Sequence, residues 1–191
     1  MRVLGIAGSP RRGGNTDLLL DEVMKGAASR GAEVKTIILN YLKIAPCQHC
    51  DACRKTGGCQ IEDDMQLVYR ELAQADRVVL ASPVQFMGLT AQMKAMIDRC
   101  QALWSRKYLL KIPPLDSIKE RKGLFISVGG QKIANLFEPS LATVKTLFKI
   151  LDITYAGELV FPGIDEKGAI AKHPDALHQA FLTGQKLAAD F

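Results

Sequence analysis

Aromatic residues are scarce: one Trp, four Tyr and seven Phe make up 6% of 191 residues. Proteins that hold single-stranded nucleic acid stack bases on exposed rings. The one local concentration of basic charge, Arg106, Lys107, Lys111 and Lys119 to Lys122 around Pro113-Pro114, has few rings beside it. Long apolar runs are also missing, and none approaches the roughly 20 residues that a membrane helix needs. The opening Met1-Arg-Val-Leu-Gly-Ile-Ala-Gly-Ser9 shows no secretory cleavage pattern and runs straight into strand-like sequence. Internal repeats and low-complexity segments are absent. These absences argue against nucleic-acid and membrane partners and predict a cytoplasmic protein.

The remaining composition, 48% hydrophobic and 24% charged, is that of one ordinary globular domain over residues 1–191. The formal charge is +5, with the basic residues scattered among Asp and Glu. Such an excess suits a solvated surface, the neutralisation of anionic cofactors, or an acidic partner.

Strand-like and helix-like segments alternate along the chain. Short apolar runs at 2–7, 33–39, 77–81, 123–128 and 153–160 read as strands. The spacing predicts helices over 16–30, from Asp63 or Asp64 to Ala75, and over 90–103, 139–151 and 174–189. Residues 104–121 read as an irregular segment. Alternation of this kind implies a parallel sheet with helices on both faces. Five strands fit the flavodoxin-like order 2-1-3-4-5, a three-layer α/β sandwich that binds ligands beyond the carboxyl ends of its strands, between strands 1 and 3.

Four of the five cysteines, Cys47, Cys50, Cys53 and Cys59, crowd into a loop at 41–62 with the spacing C-x2-C-x2-C-x5-C. Thiolates are soft ligands for zinc, copper(I) or iron–sulfur clusters. Zinc sites more often use separated C-x2-C knuckles, and a reducing cytoplasm disfavours disulfides. The compact run favours a [4Fe–4S] cluster, with zinc and a redox disulfide as alternatives. Cys100 lies in a helical pattern and reads as a small buried hydrophobe. His49 reads as a solvated loop residue.

Between strand 1 and helix 1 stands Gly8-Ser-Pro-Arg-Arg-Gly-Gly-Asn-Thr16. Glycines allow close backbone approach, and the unpaired N–H groups of a helix start favour a phosphate. Ser9, Asn15 and Thr16 add hydroxyl and amide groups, and Arg11 adds charge. The alternative is a structural Gly-rich turn. A second loop, Pro83, Val84, Gln85, Phe86, Met87 and Gly88, leaves strand 3. Its backbone, with that of Gly129 and Gly130, can meet a flat heterocycle, while its apolar side chains Val84, Phe86 and Met87 either touch that ring or simply fill the core beneath helix 3; both can hold, since backbone and side chains serve different purposes. Asp98 and Arg99 read as an ion pair at a helix end.

Together Gly-Ser-Pro-Arg…Gly-Asn-Thr, the cysteine run, Asp63-Asp-Met65 and Ser82-Pro-Val…Gly88-Leu-Thr-Ala-Gln-Met-Lys-Ala-Met-Ile-Asp-Arg99 resemble the iron–sulfur flavoprotein family, a branch of the NADPH-dependent FMN reductase-like group. The resemblance covers roughly residues 1–130. It implies FMN with its phosphate at Ser9, Arg11, Gly14, Asn15 and Thr16 and its ring against Pro83 to Gly88. It also implies a [4Fe–4S] cluster on Cys47, Cys50, Cys53 and Cys59, and homo-oligomers (dimers or tetramers). Where relatives commonly carry Tyr, this chain has Gln85.

The leading expectation is an oxidoreductase moving electrons from ferredoxin or NAD(P)H, as donor or co-substrate, to a small acceptor, with no side chain acting as catalyst. The rivals are an NAD(P)H-dependent flavin or quinone reductase without a working cluster, and a non-catalytic electron carrier or redox sensor.

Overall fold

The computed structural model describes residues 1–116 and 119–189. Ser117 and Ile118, within the segment expected to be irregular, and Asp190 and Phe191 lie outside the described residues. Five strands, β1 (Arg2–Ala7), β2 (Glu33–Ile38), β3 (Arg77–Ala81), β4 (Arg121–Gly129) and β5 (Ile153–Pro162), pair in parallel in the order β2-β1-β3-β4-β5. This is the expected order.

Side chains alternate across a strand, so each strand feeds two cores. Leu4 and Ile6 face one cluster with Val78, Leu80 and Phe125. Val3 and Ala7 face the other with Val79, Leu124 and Ile126. The first cluster is covered by α3 (Met65–Gln74), α4 (Ala91–Arg99), α5 (Gln101–Tyr108) and α6 (Glu138–Ile150). The second is covered by α1 (Asn15–Ala28) and α7 (Pro174–Ala189). β3 is buried along its whole length, as its nearly all-apolar sequence suggests. A fourth-to-fifth-strand irregularity sits between Gly123 and Leu124, opposite Tyr155 and Gly157.

Two buried arginines close the amino-terminal edge of the sheet. Arg77 Nε donates to Leu187 O of α7 at 3.1 Å. Arg121 Nε and Nη2 donate to Ala75 O and Ala73 O, satisfying carbonyls at the end of α3. At the opposite edge the chain turns on polar clips. Thr90 Oγ1 donates to Gly8 O at 2.6 Å, and Ser127 Oγ to Ser82 O at 2.8 Å.

The structure corrects two sequence expectations. The helix expected over 90–103 is two helices that meet at Cys100, and helical structure continues to Tyr108, into the segment expected to be irregular. Asp98 and Arg99 do not pair. Arg99 meets Asp63 at 2.7 Å, and Asp98 meets Lys94 one turn earlier at 2.8 Å. The start of α3 lies where expected: Asp64 occupies the cap position with its carboxylate on Lys43 N–H at 2.7 Å, and Asp63 accepts from Met65 N–H, the first of the helix, at 3.0 Å.

Candidate functional site

A short loop from β1 to α1 builds one wall of a crevice at the carboxyl ends of β1, β3 and β4. Ser9 is buried, and its hydroxyl joins the Arg11 N–H and carbonyl at 3.1 Å, folding the loop back on itself. Gly14 leaves no room for a side chain: a Cβ there would sit 2.9 Å from Arg11 O and 3.3 Å from Ser9 Oγ. The first-turn N–H groups of α1 have no carbonyl one turn earlier to bond, and Asn15 and Thr16 of that turn line this crevice.

Asp17 steadies the loop from behind. One of its oxygens accepts from Gly13 N–H at 3.0 Å and from Arg12 Nη1 at 2.9 Å. Burial pushes the Asp17 carboxyl above its ordinary pKa, against the opposing pull of that N–H and the Arg12 charge. Sequence reading passed over this residue, since an acid in the first turn of a helix is commonplace.

Ser9, Arg11, Gly14, Asn15, Thr16, Pro83, Val84 and Gly130 line this one crevice, completed by Val128, Ile164 and Asp165. Ile164 and Asp165 come from the segment after β5, where the sequence offered only turn glycines. Both ends of the Asn15 side-chain amide are engaged: its Nδ2 donates to Glu166 O at 2.9 Å and its Oδ1 accepts from Ile170 N–H at 3.1 Å. Asn15 therefore braces the 165–170 segment beside the crevice.

The remaining predicted residues lie outside the lining. Gln85 and Gly88 exchange two backbone hydrogen bonds of 2.9 Å around a tight turn. Phe86 and Met87 at its tip hold positive φ of 47° and 64°, a conformation usually left to Asn and Gly. Phe86 is fully exposed. The turn side chain does not fill the core beneath the helix, one of the two readings its apolar character allowed. Gly129 faces inward, where Leu136 and Val84 occupy the space around it.

A second pocket is lined by all four clustered cysteines, Cys47, Cys50, Cys53 and Cys59, with Arg99, Gln101 and Ala102 from the α4–α5 junction. All four thiols are free. The loop includes the short helix α2 (Cys53–Thr56), stopped by Gly57 at φ 71°. Cys53 Sγ lies 3.4 Å from Ser105 Oγ. His49 is exposed, as expected of a loop histidine, with Asp51 4.0 Å away. Among the described residues no three Cys, His, Asp or Glu side chains converge as ligands of a single ion; the quartet surrounds a pocket rather than a point. Cys100 is buried, with its thiol pushed up to about 12 by burial, then by Asp98, and it borders none of this.

The two pockets share no lining residue. Helix α4 runs between them, with Thr90 clipped to the crevice at one end and Arg99 in the cysteine pocket at the other, a span of about 13 Å at 1.5 Å per residue.

Comparison with known proteins places this site in context. Residues 1–161 match the family model for NADPH-dependent FMN reductases. An iron–sulfur flavoprotein of Archaeoglobus fulgidus is 42% identical over 131 residues, which is 69% of this chain and 63% of that protein. A second, of Methanocaldococcus jannaschii, is 36% identical over 158 residues, covering 82% of this chain and 75% of the relative. Against the Archaeoglobus protein the chain thus spans less than two thirds of the relative's length. In fold, an NAD(P)H:quinone oxidoreductase from Methanothermobacter marburgensis superposes with a TM-score of 0.73 at 15% identity, over 98% of each chain.

Proposed function

Because the chain belongs to the iron–sulfur flavoproteins of the NADPH-dependent FMN reductase family, we propose that it is an FMN-dependent oxidoreductase. It moves electrons from a reduced donor, ferredoxin or NAD(P)H, to a small acceptor through FMN and a [4Fe–4S] cluster. The observation that carries this reading is the pairing of two pockets. One is a helix-start crevice at the β1/β3 switch point, and the other gathers all four clustered thiols.

In the crevice, the first-turn N–H groups of α1 and the Thr16 hydroxyl take the phosphate, with Ser9 holding the loop in shape and Arg11 adding charge from the rim. Asn15 holds the 165–170 segment beside the crevice. The backbone of Pro83 to Gly88, with Gly129 and Gly130, meets the ring edge, and the strained Gln85–Gly88 turn fixes that backbone. Cys47, Cys50, Cys53 and Cys59 supply thiolates to the cluster. When bound, FMN supplies two-electron and one-electron chemistry and a cubane cluster supplies one-electron chemistry, so the two together convert one into the other. The side chains bind, orient and exclude water; none is needed as nucleophile or general acid. The positive charge of the chain offsets part of the charge of both groups. Homo-oligomers and a cytoplasmic setting complete the proposal.

Anaerobic purification followed by assays for acid-released FMN, iron, zinc and labile sulfide tests it. About four irons and four sulfides per chain are expected, with each of C47S, C50S, C53S and C59S losing iron while keeping FMN. Zinc in the quartet, or flavin with no metal, leaves an NAD(P)H-dependent flavin or quinone reductase. Reversible reduction without turnover of any acceptor leaves an electron carrier.

A further inference from the structure

Arg99 is fully buried. A guanidinium carries five N–H donors. Four of Arg99's have acceptors: Nη1 donates to Ala45 O at 2.9 Å and Asp63 Oδ2 at 2.7 Å, and Nη2 to Ile61 O at 3.0 Å and Asp63 Oδ1 at 3.1 Å. The fifth, on Nε, is buried without a partner. Leaving a buried donor unpaired costs about 1–3 kcal/mol, more for a charged group. An orphan of this kind calls for an unseen acceptor.

The acceptor is close at hand. Arg99 lines the same pocket as Cys47, Cys50, Cys53 and Cys59, and it is the one Arg or Lys among the described residues that do. Cys59 lines the same pocket and acts on the guanidinium electrostatically, favouring its charged form. Burial alone disfavours the charged guanidinium, but Asp63 and Cys59 more than offset that, so the group stays cationic. Its other bonds fix its position. Ala45 and Ile61 flank the cysteine loop on either side, so Arg99 and Asp63 pin both of its ends, and the Nε–H is held still rather than free to swing away.

We propose that Arg99 is a positioning residue for the cluster, whose Nε–H donates to the Cys59 sulfur and raises the reduction potential of the group the four thiolates hold. This rests on the cluster reading of the previous section. Reduction adds one electron, hence one negative charge, to a sulfur-rich site whose outer side, at Cys50, is exposed and whose inner side is the buried Arg99. A fixed cation and an N–H aimed at sulfur stabilise the reduced form more than the oxidised one, and hydrogen bonds to sulfur are among the features that set such potentials. Asp51, on the same lining, is half in solvent and pulls the other way with less force.

The test compares anaerobically prepared wild-type protein with R99K and D63N, scoring iron, labile sulfide and FMN first, then the cluster midpoint by EPR-monitored redox titration. R99K keeps a cation near Asp63 and lacks Nε–H; D63N breaks the loop clamp and keeps Nε–H. The expected result is a more negative midpoint in R99K, by a tenfold change in the reduced fraction or more, about 59 mV for a one-electron couple, with a smaller shift in D63N. Wild-type protein grown with 15N-arginine should show nitrogen hyperfine coupling to the reduced cluster in pulsed EPR, a readout that needs no variant to fold. Equal shifts in R99K and D63N reduce Arg99 to a structural clamp and overturn the proposal. So does an iron-loaded wild type without arginine coupling. A wild type with FMN and no iron fails at the first assay, overturning the cluster reading and this proposal together.

Discussion

Asp63 shows how one side chain couples the cysteine loop to the body of the fold. Burial on its own raises its carboxyl pKa, but hydrogen bonds from Arg99 and from the Ala45 and Met65 N–H groups outweigh that and hold it below the ordinary 3.8. A carboxyl held lower in the folded chain than in the unfolded one contributes stability that is complete above the unfolded value. That contribution is lost as the pH falls through the folded value. Urea melts at pH 7 and at pH 3 should therefore show wild-type stability dropping more on acidification than that of D63N, whose amide cannot titrate. At pH 7 the D63N variant should lose about 3–5 kcal/mol, because the buried guanidinium of Arg99 keeps its charge without its partner. At the same scale the sequence misled: Asp98 precedes Arg99 in the chain, yet successive residues on a helix point in different directions. The partner of Arg99 is 36 residues away, a separation that no local pattern encodes.

At the scale of elements, the strands were the most legible. β1 and β3 begin and end where their apolar runs do, because a strand covered on both faces must be apolar throughout. Helices were legible from their 3.6-residue stripe, and their ends less so. The break at Cys100 carries neither Gly nor Pro, and the apolar period runs through it, so only the three-dimensional path reveals two helices. The packing of α1 on α7 was equally silent. A Cβ on Gly26 would lie 2.0 Å from Phe181 O, and one on Gly184 would lie 2.0 Å from Val23 O. In an exposed helix Gly→Ala stabilises by about 1 kcal/mol. Here the methyl meets backbone oxygen that cannot rotate aside, so overpacking, typically about 1–3 kcal/mol, prevails. Thermal melts of G26A and G184A should each fall below wild type. The double variant should lose less than the sum, since either methyl forces the same two helices apart.

At the scale of the whole molecule, the two pockets are separate structures joined by α4. Flavin binding and loading of the cysteine loop should therefore be thermodynamically separable. FMN at about 100 times its Kd should stabilise the apoprotein by about 2.7 kcal/mol, a rise in melting temperature of about 5–10 °C for a chain of this length. The same rise is expected in the C50S variant, measured by differential scanning fluorimetry with and without FMN. A rise abolished by C50S means that the two sites are one cooperative unit. No described helix is long and apolar enough to cross a membrane.

Residue types and their short spacings determined the strand order, the phosphate-type loop and the cysteine quartet, because these rest on local chemistry: backbone freedom at glycine, apolar alternation, and thiols a few residues apart. Folding alone decided that Asn15 braces a distant segment, that Ile164 and Asp165 close the crevice, that Phe86 stands in solvent, and that Arg99 meets Asp63 on the edge of the cysteine pocket. Each of those depends on contacts between residues far apart in the chain, which packing creates and sequence periodicity does not record.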